Sequence, residues 1–297
     1  LVDRFIFMND IVILLEHSPS YLYGVVTILG LLIGSFLNVV IYRLPVMMER
    51  EWKVECADSF PDANIKIEPD AFNLVLPHSR CPNCQHLIGP TENIPVISWL
   101  LQKGCCTHCS CKISKRYPSI ELLTAILSLA VAYLVPFGWP LLFALIFTWV
   151  LISLTFIDFD TMLLPDSLTL PLLWLGLLIN VSGTFTDISS AVLGAIFGYL
   201  TLWSIYWGFK IVTGKEGMGY GDFKLLAALG AWFGWQALPL IILLSSFSGA
   251  IIGIVILLAS KDKQSRPMPF GPYLAVAGWL FLLYGDRLTE IYYSLVL

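Results

Sequence analysis

The sequence predicts an all-α polytopic membrane protein of about eight transmembrane helices, interrupted by one small cytoplasmic zinc-binding insert. Three observations predict it. Hydrophobic residues make up 57% of the chain and charged residues 13%, with a mean hydropathy of +0.79. A soluble fold of this size has no core large enough to hide that much apolar surface, whereas a lipid bilayer accepts it. The uncharged runs come in lengths near the roughly 20 residues that a helix needs to cross the hydrocarbon. Six of the seven cysteines crowd into residues 81–111, inside one polar stretch. A net charge of −4 and the lack of a basic block argue against a nucleic-acid partner.

The elements follow in order. Residues 1–20 mix Phe5, Ile6 and Phe7 with Asp3, Arg4 and Asp10, which suits a short interfacial helix on the periplasmic side. They lack a basic leading region and a small-residue cleavage site, so no removed signal peptide is expected there. Residues 21–42 carry no charge and give the first span, assigned to 21–44. The stretch 45–118 is polar, irregular and rich in Cys and Pro, and forms the insert. Residues 119–297 make the remaining transmembrane core. Its uncharged run 122–157 is broken by Pro136-Phe-Gly-Trp-Pro140 into the second and third spans. The runs 167–186 and 188–209, on either side of Asp187, give the fourth and fifth. A short sixth is expected at 222–234, a seventh after Trp235 to 260, and the eighth at 267–285.

Orientation follows from Lys and Arg. With the N-terminus outside, segments 43–120, 208–224 and 261–266 face the cytoplasm and hold 15 of the 17 basic residues; only Arg4 and Arg287 lie outside. Cytoplasmic loops carry this excess because basic residues resist translocation.

Within the insert, Cys81-Pro-Asn-Cys84 and Cys106-Thr-His-Cys109 are two C-x-x-C knuckles separated by 21 residues. Each presents two sulfurs from one tight turn, and together they suit a tetrahedral thiolate site for structural zinc, with no open position. A reducing cytoplasm favours metal over disulfide. Cys105 and Cys111 crowd the second knuckle, and His78, His86 and His108 are further candidate ligands. A polar domain of about 70 residues needs such a staple to fold.

Topology brings two acids to the same membrane face although 64 positions separate them. The third span descends to Phe156-Ile157-Asp158, and the sixth rises from Gly219-Tyr220-Gly221-Asp222. Two carboxylates meeting in a low dielectric do not both ionise cheaply; one keeps a proton while the other activates water. Gly217, Gly219 and Gly221 give the backbone freedom that close approach of a peptide requires. The same positions also suit helix ends, with Asp222 as an N-cap and Asp158 as an interfacial charge. Asp160 and Asp166 compete with Asp158 for its role, and Asp166, after Pro165, suits a cap for the next helix.

The whole pattern resembles the type IV prepilin peptidases, intramembrane aspartyl proteases with a G-x-G-D signature, many of which also methylate the new N-terminus. The resemblance is carried by Gly219-Tyr-Gly-Asp222 and by further blocks in matching order. These are Gly34-Ser-Phe-Leu-Asn-Val-Val-Ile-Tyr-Arg-Leu-Pro45, Ser79-Arg-Cys-Pro-Asn-Cys84, Glu92-Asn-Ile-Pro-Val-Ile-Ser-Trp99, Ile113-Ser-Lys-Arg-Tyr-Pro118 with Glu121, Ile157-Asp158 through Leu164-Pro165-Asp166, and Pro269-Phe-Gly-Pro272. It implies Asp158 and Asp222 as the catalytic pair and Cys81, Cys84, Cys106 and Cys109 as zinc ligands. It implies prepilin or pseudopilin substrates of type IV pilus and type II secretion systems, cut after a glycine at the inner face of the bacterial inner membrane. S-adenosylmethionine is the implied methyl donor. No Gly-rich motif marks its site, and Asn38, Glu92, Asn93 and Arg116 are the polar candidates near the insert.

Glu49, Glu51, Glu55, Asp58, Asp62, Glu68 and Asp70 of the insert suit either attraction of a basic leader or a solvated loop. Two other classes share the composition. A multi-pass transporter with a regulatory zinc domain would use Asp158 and Asp222 as cation ligands at midplane, and a non-enzymatic assembly scaffold would not need them.

Overall fold

A computed structural model describes residues 12–61, 65–68, 70–259 and 268–296. The expected interfacial helix falls largely outside the described residues, and the basic segment 261–266 falls wholly outside them. The described residues are almost entirely helical: α1 (Pro19–Ser59), α2 (Ile97–Leu101), α3 (Arg116–Leu134), α4 (Trp139–Thr161), α5 (Asp166–Asn180), α6 (Ile188–Thr213), α7 (Tyr220–Phe233), α8 (Leu238–Ala259) and α9 (Gly271–Val296). They divide into two units, Leu1–Trp149 and Val150–Leu297, with the boundary inside α4.

Among the described residues, five helical stretches are long and apolar enough to cross a membrane: Pro19–Ser59, Arg116–Leu134, Trp139–Thr161, Ile188–Thr213 and Trp235–Leu258. The other three expected spans exist as helices but do not meet that measure. α5 has 15 residues and α7 has 14. α9 is interrupted at Tyr284, just before Asp286 and Arg287, where the expected eighth span ends. Much of the exposed surface is apolar, such as Phe247, Ile254, Val255 and Leu258 on α8, as a helix bathed in lipid requires.

In the first unit, α1 packs on α3 through a small-residue seam. A Cβ on Gly30 would come 2.8 Å from the Ala125 Cα, and one on Gly34 would come 2.7 Å from the Glu121 Cα. This G-x-x-x-G spacing lets the backbones approach closely where no hydrophobic force drives helices together. Asn38 Nδ2 donates to the carbonyls of Gly34 and Tyr117, and Trp149 Nε1 donates to Ser128 Oγ.

α1 differs from expectation. The boundary drawn at residue 44 does not end the helix, which runs through Pro45 to Ser59. A proline deletes one backbone bond, but the charged turns beyond it carry their own ties. Lys53 pairs with Glu49, and Arg50 pairs with Glu68. Forty-one residues make a rod of about 60 Å, roughly twice the hydrocarbon thickness.

The second unit is built around α7. Asp222, Phe223 and every residue from Leu225 to Trp232 are buried. A helix wrapped by other helices satisfies its surroundings through protein contact, so its shortness carries no penalty. α6 crosses it at glycines: a Cβ on Gly194 would collide with the Gly230 carbonyl, and one on Gly230 with the Gly194 carbonyl. α5 is held to α7 by polar bonds. Trp232 Nε1 donates to the Leu172 carbonyl, and Asn180 Nδ2 donates to the carbonyls of Ala231 and Trp232. Asn180 Oδ1 accepts from the N–H groups of Phe185 and Thr186, so this buried amide is fully satisfied.

Candidate active site

Asp158 lies in the last turn of α4 and Asp222 in the first turn of α7, both within the second unit. They are 4% and 6% exposed. The two carboxyls are close enough for their charges to interact. Asp158 Oδ2 accepts a 3.0 Å hydrogen bond from the Gly271 N–H at the start of α9. Asp222 Oδ1 is buried and has no hydrogen-bond partner among the described residues. An oxygen in that position is suited to an exogenous donor such as a water or a peptide group.

The competing acids are placed elsewhere. Asp160 is exposed. Asp166 is exposed and receives Lys224 Nζ at 2.6 and 2.7 Å on its two oxygens, tying the start of α5 to α7. The cap expected of Asp166 is not formed, because the N-cap position is Pro165 and the carboxylate is spent on Lys224. Asp222 is not an N-cap either; Gly219 holds that position. Asp187, by contrast, caps α6 by accepting from the Ser190 N–H.

Sequence reasoning missed Gly271 as a site residue. A Cβ there would sit 2.6 Å from Asp158 Oδ2. The Pro269-Phe-Gly-Pro272 block was the available signal, since a glycine between prolines at a helix start marks a tight backbone approach. Of the signature glycines, Gly221 backs directly onto Leu164; upstream of the signature, Gly217 lies against Phe209.

In the insert, the two knuckles have the same local design. Arg80 bridges Leu87 around the first, and Cys105 bridges Lys112 around the second. The Cys81 N–H donates to the His86 carbonyl, and the Cys106 N–H to the Cys111 carbonyl. Gln85 and Ser110, each just after the second cysteine of its knuckle, take positive φ values of 60° and 55°. The sulfurs of Cys81, Cys84, Cys106 and Cys109 all lie within 4.8 Å of one another. The Cys81–Cys109 and Cys84–Cys106 separations are 3.7 and 3.9 Å. Four thiolates around a tetrahedral zinc at its usual bond length stand about 3.8 Å apart, so the four fit a metal such as zinc. Cys111 Sγ stands 3.4 Å from Cys81 Sγ, and none of the seven cysteines forms a disulfide.

Glu92 joins the knuckles. Its carboxylate accepts from Thr107 Oγ1 at 2.5 Å and from the Gly89 N–H at 3.0 Å, and it pairs with His86 Nε2 at 3.2 Å. The Thr107 hydroxyl and the Gly89 amide hold its pKa down at about 2. Asn93 lines a groove of about 420 Å³ with His78, Ser79, Leu87, Ile88 and Gly89. Asn38 is committed to the α1–α3 joint, and Arg116 opens α3. Of the seven insert acids, Glu49 and Glu68 are paired with their own neighbours, and Asp62 lies outside the described residues.

Helical spans, a buried carboxylate pair and a four-thiol cluster define a polytopic membrane protein with a buried acidic site and a group of cysteines fit to hold a metal. Residues 28–135 match the Bacterial Peptidase A24 N-terminal domain, and residues 145–254 match the Type IV leader peptidase family. The chain is 57% identical over 279 residues to the "Prepilin leader peptidase/N-methyltransferase" of Aeromonas hydrophila, covering 94% of this chain and 96% of that one. The same description belongs to a Pseudomonas aeruginosa protein at 55% identity (89% and 91% covered) and a Dichelobacter nodosus protein at 53% (90% and 93% covered). The chain belongs to the type IV leader peptidase family. No solved structure matches it.

Proposed function

We propose that the chain is an intramembrane aspartyl endopeptidase that removes the leader of type IV prepilins or pseudopilins after a glycine, and then methylates the new N-terminal amine with S-adenosylmethionine. The observation that carries the hydrolytic reading is the buried, interacting pair of Asp158 and Asp222, with one Asp222 oxygen left for an exogenous donor. One carboxylate takes a proton from water as its oxygen adds to the scissile carbonyl. The other gives a proton to the amide nitrogen as the C–N bond breaks, with no covalent intermediate. Gly271, by donating to Asp158 Oδ2, fixes the orientation of that carboxylate.

Cys81, Cys84, Cys106 and Cys109 would hold a structural zinc that closes the two knuckles into one unit. Asn93 and its neighbours His78, Ser79 and Gly89, which line an open groove on the insert, would hold the methyl donor, which supplies the methyl group for the freshly released amine. We divide the chain into a periplasmic segment 1–20, a first membrane helix 21–44, a cytoplasmic zinc domain 45–118 and a peptidase core 119–297. The chain sits in the inner membrane with the zinc domain and carboxylates facing the cytoplasm, as the distribution of basic residues supports.

Co-expression with a prepilin tests this. The wild type converts the substrate to the shorter form on a gel, whereas Asp158→Asn and Asp222→Asn leave it uncut. Mass spectrometry of the processed N-terminus reports the cleavage position and methylation together. Full processing by either variant overturns the hydrolytic assignment.

A further inference from the structure

The insert turns an apolar face outward. In α2, Ile97, Leu100 and Leu101 are spaced i, i+3 and i+4, hence on one side of the helix. They are 53%, 61% and 78% exposed, and Ile94 just before them is 45% exposed. The other side of α2 is packed: Ser98 is buried, and Trp99 Nε1 donates to the Ile113 carbonyl at 3.3 Å. A helix on a water-facing surface carries its apolar stripe on the inner side, so α2 is the reverse of one. Its level relative to a bilayer comes from α3. The Val96 N–H, at the start of α2, donates at 2.7 Å to Oε2 of Glu121. Glu121 is the sixth residue of α3, a helix long and apolar enough to span, and so lies about 7–8 Å along the axis from Arg116. Interfacial helices bury their apolar face to roughly 5–10 Å. Charge agrees with that level. Residues 93–120 contain Lys103, Lys112, Lys115 and Arg116 and no Asp or Glu. All four basic residues are exposed, and the Ile113 N–H, by donating to the Gly104 carbonyl, brings the Lys112 segment back beside Lys103.

We propose that α2 is an interfacial foot of the insert: Ile94, Ile97, Leu100 and Leu101 sit among the lipid chains of the leaflet that α3 enters, and Lys103, Lys112, Lys115 and Arg116 meet anionic headgroups there. Aliphatic side chains beside basic ones complement an anionic bilayer surface in both respects. A face reserved for a soluble partner has no reason to lie level with the first turns of a spanning helix. The surface is independent of the hydrolytic reading, so its test reads lipid contact rather than cleavage.

The full chain is reconstituted in nanodiscs of three parts phosphatidylethanolamine to one part phosphatidylglycerol. The photo-crosslinker p-benzoylphenylalanine stands in place of Ile97, Leu100 or Leu101, or, as a reference, of the exposed Asp58 near the end of α1. Three foot positions keep the test open if one substitution prevents folding, which the thermal unfolding midpoint reports. After irradiation, mass spectrometry should find lipid adducts at the folded foot positions and none at Asp58. Phosphatidylglycerol should be enriched at least about twofold among the adducts over its share of the disc, because each Lys or Arg near an anionic surface adds to the attraction. Combining Lys103→Gln, Lys112→Gln and Lys115→Gln should bring that enrichment down. Cross-links to residues 150–297 or to a second copy, in place of lipid, would make the face a protein interface and overturn the proposal. An absence of lipid adducts at every folded foot position, or adducts equally frequent at Asp58, also overturns it. Adducts that hold phosphatidylglycerol only at its bulk share, or an enrichment unmoved by the triple substitution, overturn the headgroup contact.

Discussion

Glu92 is where the two knuckles meet. One carboxylate takes the Thr107 hydroxyl from the second knuckle and His86 from the first, so it orients both halves of the thiol cluster. Outer partners of this kind typically change metal affinity ten- to a hundredfold. Glu92→Ala should therefore release zinc to a competing chelator at least about tenfold more readily than wild type, read by a colorimetric zinc indicator. The sign with pH is fixed by the depressed pKa. The folded value of about 2 lies below the ordinary 4.5, so the contribution is complete above the ordinary value and is lost only as pH falls toward the folded one. Between about pH 6 and 8 the difference between wild type and Glu92→Gln should be flat, because the carboxylate stays charged throughout. Sequence alone made Glu92 a polar candidate for the methyl-donor site, whereas in the fold its carboxylate is engaged by His86 and Thr107, a pairing that spacing does not announce. Asp158 and Asp222 were legible because buried acids in apolar runs stand out. Gly271 was not read as a site residue, because the Pro269-Phe-Gly-Pro272 block marks a close approach without naming its partner, Asp158, 113 positions away.

Elements were read more accurately by position than by extent. The expected spans found helices, yet α7 is short because it is surrounded by protein, and hydropathy cannot tell a buried helix from a lipid-facing one. α1 overran its expected end because a proline within a long helix removes one backbone bond and the remaining turns carry the helix on through it. The glycines of α6 and α7 yield a prediction at this scale. Gly194→Ala and Gly230→Ala should each destabilise the detergent-solubilised chain by about 1–3 kcal/mol, since the added methyl must push two backbones apart. Gly24→Ala and Gly208→Ala, where a Cβ would meet nothing within 4 Å, should be neutral or stabilising by up to about 1 kcal/mol. Thermal unfolding followed by circular dichroism separates the two pairs, and equal losses at all four sites would contradict the crossing described.

At the scale of the whole molecule, the charge asymmetry carries a topological prediction. Protease added to inverted inner-membrane vesicles should cut within residues 60–80, and the same protease added to right-side-out vesicles should leave that stretch intact; the opposite pattern would reverse the orientation. Fold class was legible here because it sums over many residues. The number of crossings was not, because five helical stretches among the described residues meet the length and hydropathy of a span while eight were expected. The C-terminal half of α1 has a further consequence. Arg43 and Arg50 stand seven positions apart, hence on one side of the rod, and their guanidinium groups lie 5.6 and 4.4 Å from the centre of the Phe72 ring. Arg43 also donates to the carbonyls of Asn73 and Pro77, and Arg50 to that of Asp70. The returning chain is thus threaded along two consecutive rungs of a screw. Adding a single residue between those rungs would turn the second by about 100° away from its ring, while adding seven would restore the bearing and merely lengthen the stalk.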